Sequence, residues 1–246
     1  MPDIRPTPED TEAIQSDLAD TPGMLWVERF LLPLLSRKRP GFNRETLHCL
    51  QIETIDSLDC LEEAKRIRIA GHQCDVALYR HGSAADAPDP ADVQVFDDVE
   101  RLPLESGKYD VILTGRLGKM AALSGRGQQL AQELARVCKP GGALLATFGN
   151  RLCPLDISGN TSILHGPRDA ALLTLREAKG LLLEDTQFSA VDSVNVYGHF
   201  GWSKVGAAGR IVATGLDVFW RTLATPRNEW IYGSPLNPCF MLWVTR

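Results

Sequence analysis

Short apolar runs alternate with stretches of helical spacing through the middle of the chain. The helical stretches predict one helix over residues 57–70 and another that ends where Pro140-Gly141-Gly142 interrupts the pattern before a further strand. The short apolar runs predict buried strands at residues 47–53, 75–79, 93–96, 109–114 and 240–244. Strands that alternate with crossover helices are typical of a doubly wound, mostly parallel sheet, so we expect an α/β fold.

The two ends of the chain depart from this alternation. Residues 1–21 are polar, and the helical spacing of Trp26, Phe30 and Leu34 predicts an amphipathic helix over residues 23–37. After residue 150 the pattern predicts a loop, then a helix over residues 168–180, and then a strand over residues 181–189.

Composition narrows the classes of function. The 246 residues carry a net charge of −5, and apart from Arg37-Lys38-Arg39 the basic residues are scattered, which argues against nucleic-acid binding. The six cysteines have no metal-ligand spacing, so we expect buried reduced thiols and no metal. No run is long enough to span a membrane and no signal-like leader is seen, so we expect a cytoplasmic protein. The apolar run 30–35 beside the basic residues leaves peripheral membrane contact as an alternative to core packing.

The segment from Tyr109 to Ala146 resembles a known family. Tyr109-Asp-Val-Ile-Leu-Thr114, a helix, Lys139-Pro-Gly-Gly142 and an apolar strand follow one another here. In class I S-adenosylmethionine-dependent methyltransferases the same order reads "FDVV", a helix, "LKPGG" and a strand. The resemblance runs through most of the chain from about residue 47. It implies a Rossmann-like sheet with an antiparallel C-terminal strand, S-adenosylmethionine as cofactor and a small molecule as methyl acceptor.

The same resemblance implies how the chain is divided. We expect one domain over residues 1–246, with a helical lead-in and cap over 1–46, a nucleotide-binding-type half over 47–150 and a substrate-side half over 151–246. In this scheme the helix over 23–37 caps the substrate side of the sheet. A helix that only covers one edge of the sheet explains the same pattern equally well.

The glycine-rich cofactor loop of the family has lost its glycines here. Alignment places Glu53 at the acidic position before the loop, and Ile55, Ser57 and Asp59 at the three glycine positions. Glycine lets the backbone approach a nucleotide closely, so these side chains are expected to project toward the methionine and ribose portions of the cofactor. Tyr79 stands where a carboxylate normally accepts hydrogen bonds from both ribose hydroxyls, and a phenol cannot reproduce that bidentate acceptance.

Later cofactor positions of the family are retained. The segment Asp97-Asp98-Val-Glu-Arg-Leu-Pro103 resembles "GDAEDLP", so Asp98 is the residue expected at the adenine amino group, with a turn aspartate as the alternative. Thr114 and Gly115 follow the fourth strand, where the family lines its pockets. The charge of Arg116 opposes a sulfonium and favours an anion. A helix capped by Gly115, with Arg116 pointing to solvent, is the alternative.

Candidate bases for methyl transfer lie after residue 150. We expect the catalytic residues to be His199, Tyr197 and His165, with Asp156 as an orienting carboxylate. Phe148-Gly-Asn-Arg151-Leu-Cys-Pro154 resembles the "PNR" loop that follows the fifth strand in some bacterial members. Surface histidines, or a loop packed on its own aromatic residues, explain the same segments without catalysis.

Two functions remain open. One is a small-molecule methyltransferase that binds S-adenosylmethionine through an atypical first loop. The other is a methyltransferase-fold pseudoenzyme with a degenerate cofactor site, which acts as a partner subunit, a regulator or a binder of another ligand. A dinucleotide oxidoreductase would need the same missing glycines, and the chain has no P-loop, Ser-His-Asp or zinc signature.

Overall fold

The fold is given by a computed structural model that describes residues 32–38, 45–55, 59–81, 93–153, 171–194 and 239–246. Within these ranges the helices are α1 (Leu32–Lys38), α2 (Asp59–Ile69), α3 (Leu117–Ser124), α4 (Gly127–Val137) and α5 (Leu175–Leu183). The strands are β1 (His48–Thr54), β2 (Gln73–Tyr79), β3 (Val93–Phe96), β4 (Tyr109–Thr114), β5 (Cys138–Gly149), β6 (Ala190–Val194) and β7 (Cys239–Thr245). None of these helices is long and apolar enough to cross a membrane.

One sheet joins all of these strands. Its order is β3-β2-β1-β4-β5-β7-β6, and every pair from β3 through β5 is parallel. The last strand, β7, runs antiparallel to both β5 and β6. The prediction of a doubly wound, mostly parallel sheet with an antiparallel C-terminal strand is therefore confirmed.

Both faces of the sheet are covered, which explains why its central strands have nearly continuous apolar runs. Neighbouring residues of β1 serve opposite faces. Leu50 lies in a first apolar cluster with residues of α3, α4 and α5, whereas Cys49 lies in a second cluster with residues of α1 and α2. Buried thiols outside any disulfide, as expected, are found at Cys49, Cys60, Cys74, Cys138 and Cys153.

The described end of the predicted N-terminal helix is α1, which packs on one face of the sheet. Its Leu34 and Leu35 are buried in the second apolar cluster, together with Trp243 of β7. The protein's own core covers these two leucines, so packing and not membrane contact accounts for them. Trp26 and Phe30 lie outside the described residues.

The predicted strand over residues 181–189 is wrong. Helix α5 runs through the run of three leucines at 181–183, and β6 begins only after residue 189. A short apolar run does not by itself distinguish a strand from a buried helix. Helix α5 starts where Thr174 and Glu177 form a capping box. It therefore lies closer to the C-terminus than the predicted helix over residues 168–180.

The Pro140-Gly141-Gly142 turn also differs from its predicted role. Helix α4 ends before it, at Val137, and the three residues belong to the first part of β5, where the register with β4 shifts. A Cβ atom on Gly142 would lie 2.8 Å from the Cys138 Sγ atom, so glycine is needed for close packing at this bend. Gly141 has a φ of +75°, which glycine adopts without strain.

Ion pairs fix the amino ends of the central strands. Asp75 of β2 accepts hydrogen bonds from Lys108 at 2.7 Å and from the Tyr109 hydroxyl at 2.9 Å. Asp110 of β4 accepts a hydrogen bond from Lys139 of β5 at 2.7 Å. These contacts join β2, β4 and β5 at the edge opposite to the one where a ligand is expected.

A second network holds the loop between β3 and β4 against α4. The Arg136 guanidinium donates to the backbone carbonyls of Leu102 and Leu104 at 3.1 and 3.0 Å. It also forms a two-pronged ion pair with Glu133, whose Oε2 atom accepts the Leu102 backbone N–H at 2.8 Å. The loop that begins at the end of β3 is therefore anchored at several points along the same helix.

The Asp75 contacts should make stability depend on acid pH. Burial alone raises the pKa of Asp75, but the hydrogen bonds from Lys108 and Tyr109 outweigh it and lower the pKa below its ordinary value. Such a carboxylate stabilises the fold above its unfolded pKa, and this stabilisation is lost as the pH falls through the folded pKa. We expect Asp75→Asn to be less stable at neutral pH and to lose less stability between about pH 5 and pH 2, measured by urea unfolding. Parallel acid-stability curves for the two proteins would contradict this role.

Replacement of Arg136, on α4, should cost more stability than replacement of an exposed arginine in the loop that Arg136 anchors. Arg136→Met leaves the Leu102 and Leu104 carbonyls and the Glu133 carboxylate without their donor. We expect the free energy of unfolding to fall by about 1–3 kcal/mol in urea titrations. The control is Arg101→Met, because Arg101 is exposed. Equal losses in the two variants would show that the network does not stabilise the loop.

Candidate functional site

The carboxyl ends of the central strands form the edge of the sheet at which a ligand is expected. In a doubly wound sheet the ligand binds outside these ends, at the point where the strand order reverses. Here the order reverses between β1 and β4, which are parallel neighbours. We call the residues that end or follow β1, β2 and β4 the carboxyl edge: Glu53, Thr54, Tyr79, Arg80, Thr114 and Gly115.

Glu53 connects the ends of β1 and β4. Its side chain is buried, and its Oε1 atom accepts the backbone N–H of Gly115. Glycine leaves room for this contact, because a Cβ atom at Gly115 would lie only 3.1 Å from the same oxygen. One carboxylate oxygen of Glu53, the residue at the family's acidic position, is therefore engaged in a hydrogen bond within the protein.

The first loop begins as a continuation of the sheet. The Ile55 backbone N–H donates to the Tyr79 carbonyl at 3.0 Å, and the Ile55 side chain packs against the second apolar cluster. The Ile55 side chain is therefore partly buried against the core, and its contact with a cofactor stays a prediction. Ser57 lies outside the described residues, and only the backbone of Asp59, at the start of α2, is described.

Thr54 and Tyr79 lie directly opposite each other in the β1–β2 pair. Both are buried, at 2% and 4% exposure. The Tyr79 ring packs against Phe96 with 5.5 Å between ring centroids, and its hydroxyl lies 3.5 Å from the His81 Nδ1 atom. The Thr54 hydroxyl has no hydrogen-bond partner among the described residues. The edge therefore presents a phenol at the family's carboxylate position, beside a buried hydroxyl that a ligand could satisfy.

The Tyr79 phenol is protonated at neutral pH. Burial raises its pKa above the ordinary value, the charges of Asp97 and Asp98 raise it further, and the charge of Arg126 lowers it. These three charged groups therefore lie within electrostatic reach of the phenol. The hydroxyl can offer one hydrogen bond, but it does not supply the two acceptor oxygens of a carboxylate.

Two arginines lie near Tyr79, and each is paired with a carboxylate. Arg80 donates from Nε and Nη2 to the two oxygens of Asp97, which follows β3, at 2.7 and 2.8 Å. This contact lowers the pKa of Asp97 below its ordinary value. Arg126, the N-cap residue of α4, pairs with Glu100 at 2.9 Å. The arginine side chains are 40% and 53% exposed, so both guanidinium groups are oriented and still reach solvent.

Asp98 is exposed and serves its own loop. Its Oδ1 atom accepts the Glu100 backbone N–H at 2.8 Å, which is the contact of a turn aspartate. This geometry agrees with the alternative drawn from the sequence and leaves the Oδ2 atom for another donor. The contact of Asp98 with an adenine amino group stays a prediction.

Helix α3 begins directly after the end of β4. Its N-cap residue is Arg116, whereas the alternative drawn from the sequence gave that place to Gly115. The Arg116 backbone N–H donates to the Thr114 hydroxyl at 3.4 Å, and the Thr114 side chain is buried. Thr114 and Gly115 stand at the edge, and their contact with a cofactor stays a prediction.

The segment that follows β5 is tied to the start of α5. Asn150 is buried and its Oδ1 atom accepts the Leu152 backbone N–H at 3.0 Å. Arg151 forms an ion pair with Glu177 at 2.7 Å. A Cβ atom on Gly118 would lie 2.4 Å from the backbone oxygen of Ala171, so α3 packs closely against the residues that lead into α5. The described part of the "PNR"-like loop therefore has a structural role.

The predicted catalytic residues are not covered by the structure. His165, Tyr197, His199 and Asp156 lie outside the described residues, and their roles stay predictions. Within the described ranges, no three side chains of histidine, cysteine, aspartate or glutamate come together as metal ligands.

Solved structures share this architecture across nearly the whole chain. A putative sarcosine dimethylglycine methyltransferase from Galdieria sulphuraria is 16% identical, with a TM-score of 0.50 over 96% of this chain and 98% of that chain. The CMeT domain of the citrinin polyketide synthase is 14% identical, with a TM-score of 0.51 over 97% and 57% of the two chains. The [4+2]-cyclase SpnF is 14% identical, with a TM-score of 0.50 over 96% and 93%.

The chain has the class I S-adenosylmethionine-dependent methyltransferase fold. No model of a known protein family matches the sequence, and no curated protein matches it. Identities of 14% and 16% establish the fold alone, so the activity of this methyltransferase-fold protein has to be argued from its site.

The cofactor of that fold fits the described edge poorly in its usual mode. The Tyr79 phenol cannot accept both ribose hydroxyls. The carboxylate on the neighbouring strand end, Asp97, is already held by Arg80 through both of its oxygens. One oxygen of Glu53 is likewise taken by the Gly115 backbone. The described residues thus leave the ribose of S-adenosylmethionine without its usual acceptor.

The arginine pairs at this edge were missed in the sequence. A signal for one of them exists, because Arg80 and Asp97 each follow a predicted strand directly, and the ends of adjacent parallel strands meet. Arg126 has no comparable signal, since its position depends on how α4 packs on the sheet. The resemblance drew attention to Tyr79 alone, whereas the ion pairs of Arg80 and Arg126 are found only in the structure.

The contact between Glu53 and Gly115 should be measurable as stability. Glu53→Gln keeps an acceptor oxygen of similar shape for the Gly115 N–H, whereas Glu53→Leu removes the acceptor. We expect the free energy of unfolding of Glu53→Leu to lie about 1–3 kcal/mol below that of Glu53→Gln in urea titrations. Indistinguishable stabilities would show that this hydrogen bond does not hold β1 and β4 together at the edge.

Proposed function

We propose that this methyltransferase-fold protein binds a ligand other than S-adenosylmethionine at its carboxyl edge and does not transfer methyl groups. The observation that carries the proposal is the end of β2, where Tyr79 is buried against Phe96 and is followed by Arg80. The family holds a ribose diol with a carboxylate that accepts from both hydroxyls. Neither a phenol nor a guanidinium group provides that pair of acceptors.

Other features of the edge support a binding function over that of a passive scaffold. The Thr54 hydroxyl is buried without a partner among the described residues, and buried polar groups in native proteins usually have one. The contact between Glu53 and Gly115 fixes the ends of β1 and β4 relative to each other. A ligand at this edge would satisfy the hydroxyl and meet a preorganised surface.

The fold does not tie the chain to methyl transfer. SpnF shares the fold with a TM-score of 0.50 and is described as a [4+2]-cyclase. Since the site residues and not the fold decide the function, the altered end of β2 outweighs the general similarity to methyltransferases.

A small-molecule methyltransferase is the second candidate, and two observations favour it. The Ile55 side chain packs against the core, which removes one of the obstructions expected in the cofactor space. Asp98 is exposed at the position expected for the adenine contact. In this case His199, Tyr197 or His165 would remove a proton from the methyl acceptor.

Thermal unfolding of the purified chain with S-adenosylmethionine, and separately with S-adenosylhomocysteine, decides between the two candidates. A ligand at about 100 times its dissociation constant stabilises a protein by roughly 2.7 kcal/mol, which raises the melting temperature of a chain of this size by roughly 5–10 °C. We expect no shift with either ligand at about 1 mM. A clear shift with either one would overturn the proposal, and its loss in Asp98→Ala would assign the adenine contact to Asp98.

A further inference from the structure

We propose that the end of β2 binds the phosphate of a nucleotide that is phosphorylated on its ribose 2′ or 3′ hydroxyl. The residues of this β2-end site are Thr54, Tyr79, Arg80 and Arg126. The inference rests on the proposed function, because it names the class of ligand that the same edge would take in place of S-adenosylmethionine.

The position of Arg80 indicates a ribose phosphate. In doubly wound sheets an acid near the end of the second strand accepts a ribose hydroxyl, whereas an arginine nearby accommodates a phosphate on that hydroxyl. Strand β2 ends without an acid, and Arg80 is the first residue after it. A planar guanidinium group matches the oxygens of a phosphate and has nothing to offer the protons of a diol.

The Arg80 guanidinium group is oriented for a second partner. Asp97 takes the Nε donor and one Nη2 donor, which fixes the plane of the group. An arginine has five N–H donors. Among the described residues, the two donors of Nη1 and the second donor of Nη2 have no partner, and they lie at the outer end of the guanidinium group. This pair of nitrogens can bind a phosphate in a two-pronged way. The backbone is also fixed, because the Arg80 N–H donates to the Phe96 carbonyl at 2.9 Å.

Three neighbouring groups can complete the site. The Thr54 hydroxyl has a proton to donate and no partner among the described residues. It lies opposite Tyr79, whose hydroxyl also carries a proton at neutral pH because burial raises the pKa of Tyr79. Asp97 and Asp98 raise the same pKa and Arg126 lowers it, so charges of both signs act at this end of β2. The ends of β1 and β2 therefore carry two hydroxyl groups and two arginines, each arginine paired with a carboxylate that orients it.

The acidic residues nearby are largely engaged by the protein. Asp97 and Glu100 are each paired with an arginine, and Asp98 accepts the Glu100 backbone N–H. A phosphate would share the charge of Arg80 with Asp97, so we expect moderate affinity that falls as the salt concentration rises. The unphosphorylated diol of S-adenosylmethionine offers no negative charge to the same arginine, so it lacks this charge-assisted contact.

Isothermal titration calorimetry on the full chain separates the classes of ligand. The probes are adenosine 3′,5′-bisphosphate, adenosine 2′,5′-bisphosphate, adenosine 5′-monophosphate, inorganic phosphate and S-adenosylhomocysteine. We expect one of the two bisphosphates to bind about ten-fold or more tightly than the monophosphate, because it gains a charge-assisted contact with Arg80. The preferred bisphosphate shows which ribose hydroxyl carries the phosphate.

Substitution of Arg80 tests the assigned contact. Arg80→Gln should remove the preference for the bisphosphate over the monophosphate, and Arg80→Lys should retain part of the preference because it keeps the charge without the planar fork. The matched control is Arg176→Gln. Arg176 is exposed on α5, which packs on β6 and β7 at the far side of the sheet from β2. Circular dichroism of each variant confirms that it is folded.

Three results would overturn the inference and leave the proposed function intact. They are equal affinity for bisphosphates and monophosphate, an unchanged preference in folded Arg80→Gln, and inorganic phosphate binding as tightly as the bisphosphates. Failure of every nucleotide to bind would also overturn it. Tight binding of S-adenosylhomocysteine, with a dissociation constant below that of either bisphosphate, would instead overturn the proposed function together with this inference.

Discussion

The parallel pairing of β1 with both β2 and β4 is the constraint on which the candidate site depends. It sets Tyr79 opposite Thr54 and brings Glu53 within reach of the residue that follows β4. Because both faces of the sheet are buried, a slip of one residue would turn the side chains of β1 to the opposite faces, so the register is strongly specified. The chemistry of the edge then follows from the residues with which the strands end.

The contribution of each contact to stability helps to separate a structural role from a binding role at the carboxyl edge. An exposed ion pair such as that of Arg80 with Asp97 contributes little to stability, so stability alone is a weak reason for its placement. The contact between Glu53 and Gly115 is buried at the glutamate and is the better candidate for a structural role. Orientation of a guanidinium group toward a ligand explains the exposed pair more fully.

Most strands of the sheet were predictable because a strand that is buried on both faces has a nearly continuous run of apolar residues. The predicted strands at 93–96 and 109–114 agree with β3 and β4 to the residue, and every residue of β4 is buried. The run at 181–183 was misassigned because three leucines suit either a strand or a helix. The capping box of Thr174 and Glu177 was visible in the sequence and carries the more specific signal.

The site was less predictable, because its contacts join parts of the chain that local patterns do not connect. The resemblance located Glu53 and Tyr79 correctly at the ends of β1 and β2, but the contact of Glu53 with Gly115 depends on the register with β4. The pairing of Arg126 with Glu100 depends in addition on the packing of α4. Packing of the Ile55 side chain against the second apolar cluster depends on the face of the sheet to which this continuation of β1 turns it.

The most direct test is a crystal structure of the chain grown with an excess of S-adenosylhomocysteine. The account predicts a carboxyl edge that does not contain this nucleoside, with Arg80 still paired to Asp97 and Tyr79 packed on Phe96. Electron density for the nucleoside at this edge, with its ribose hydroxyls bound by Tyr79 or Asp97, would contradict the account.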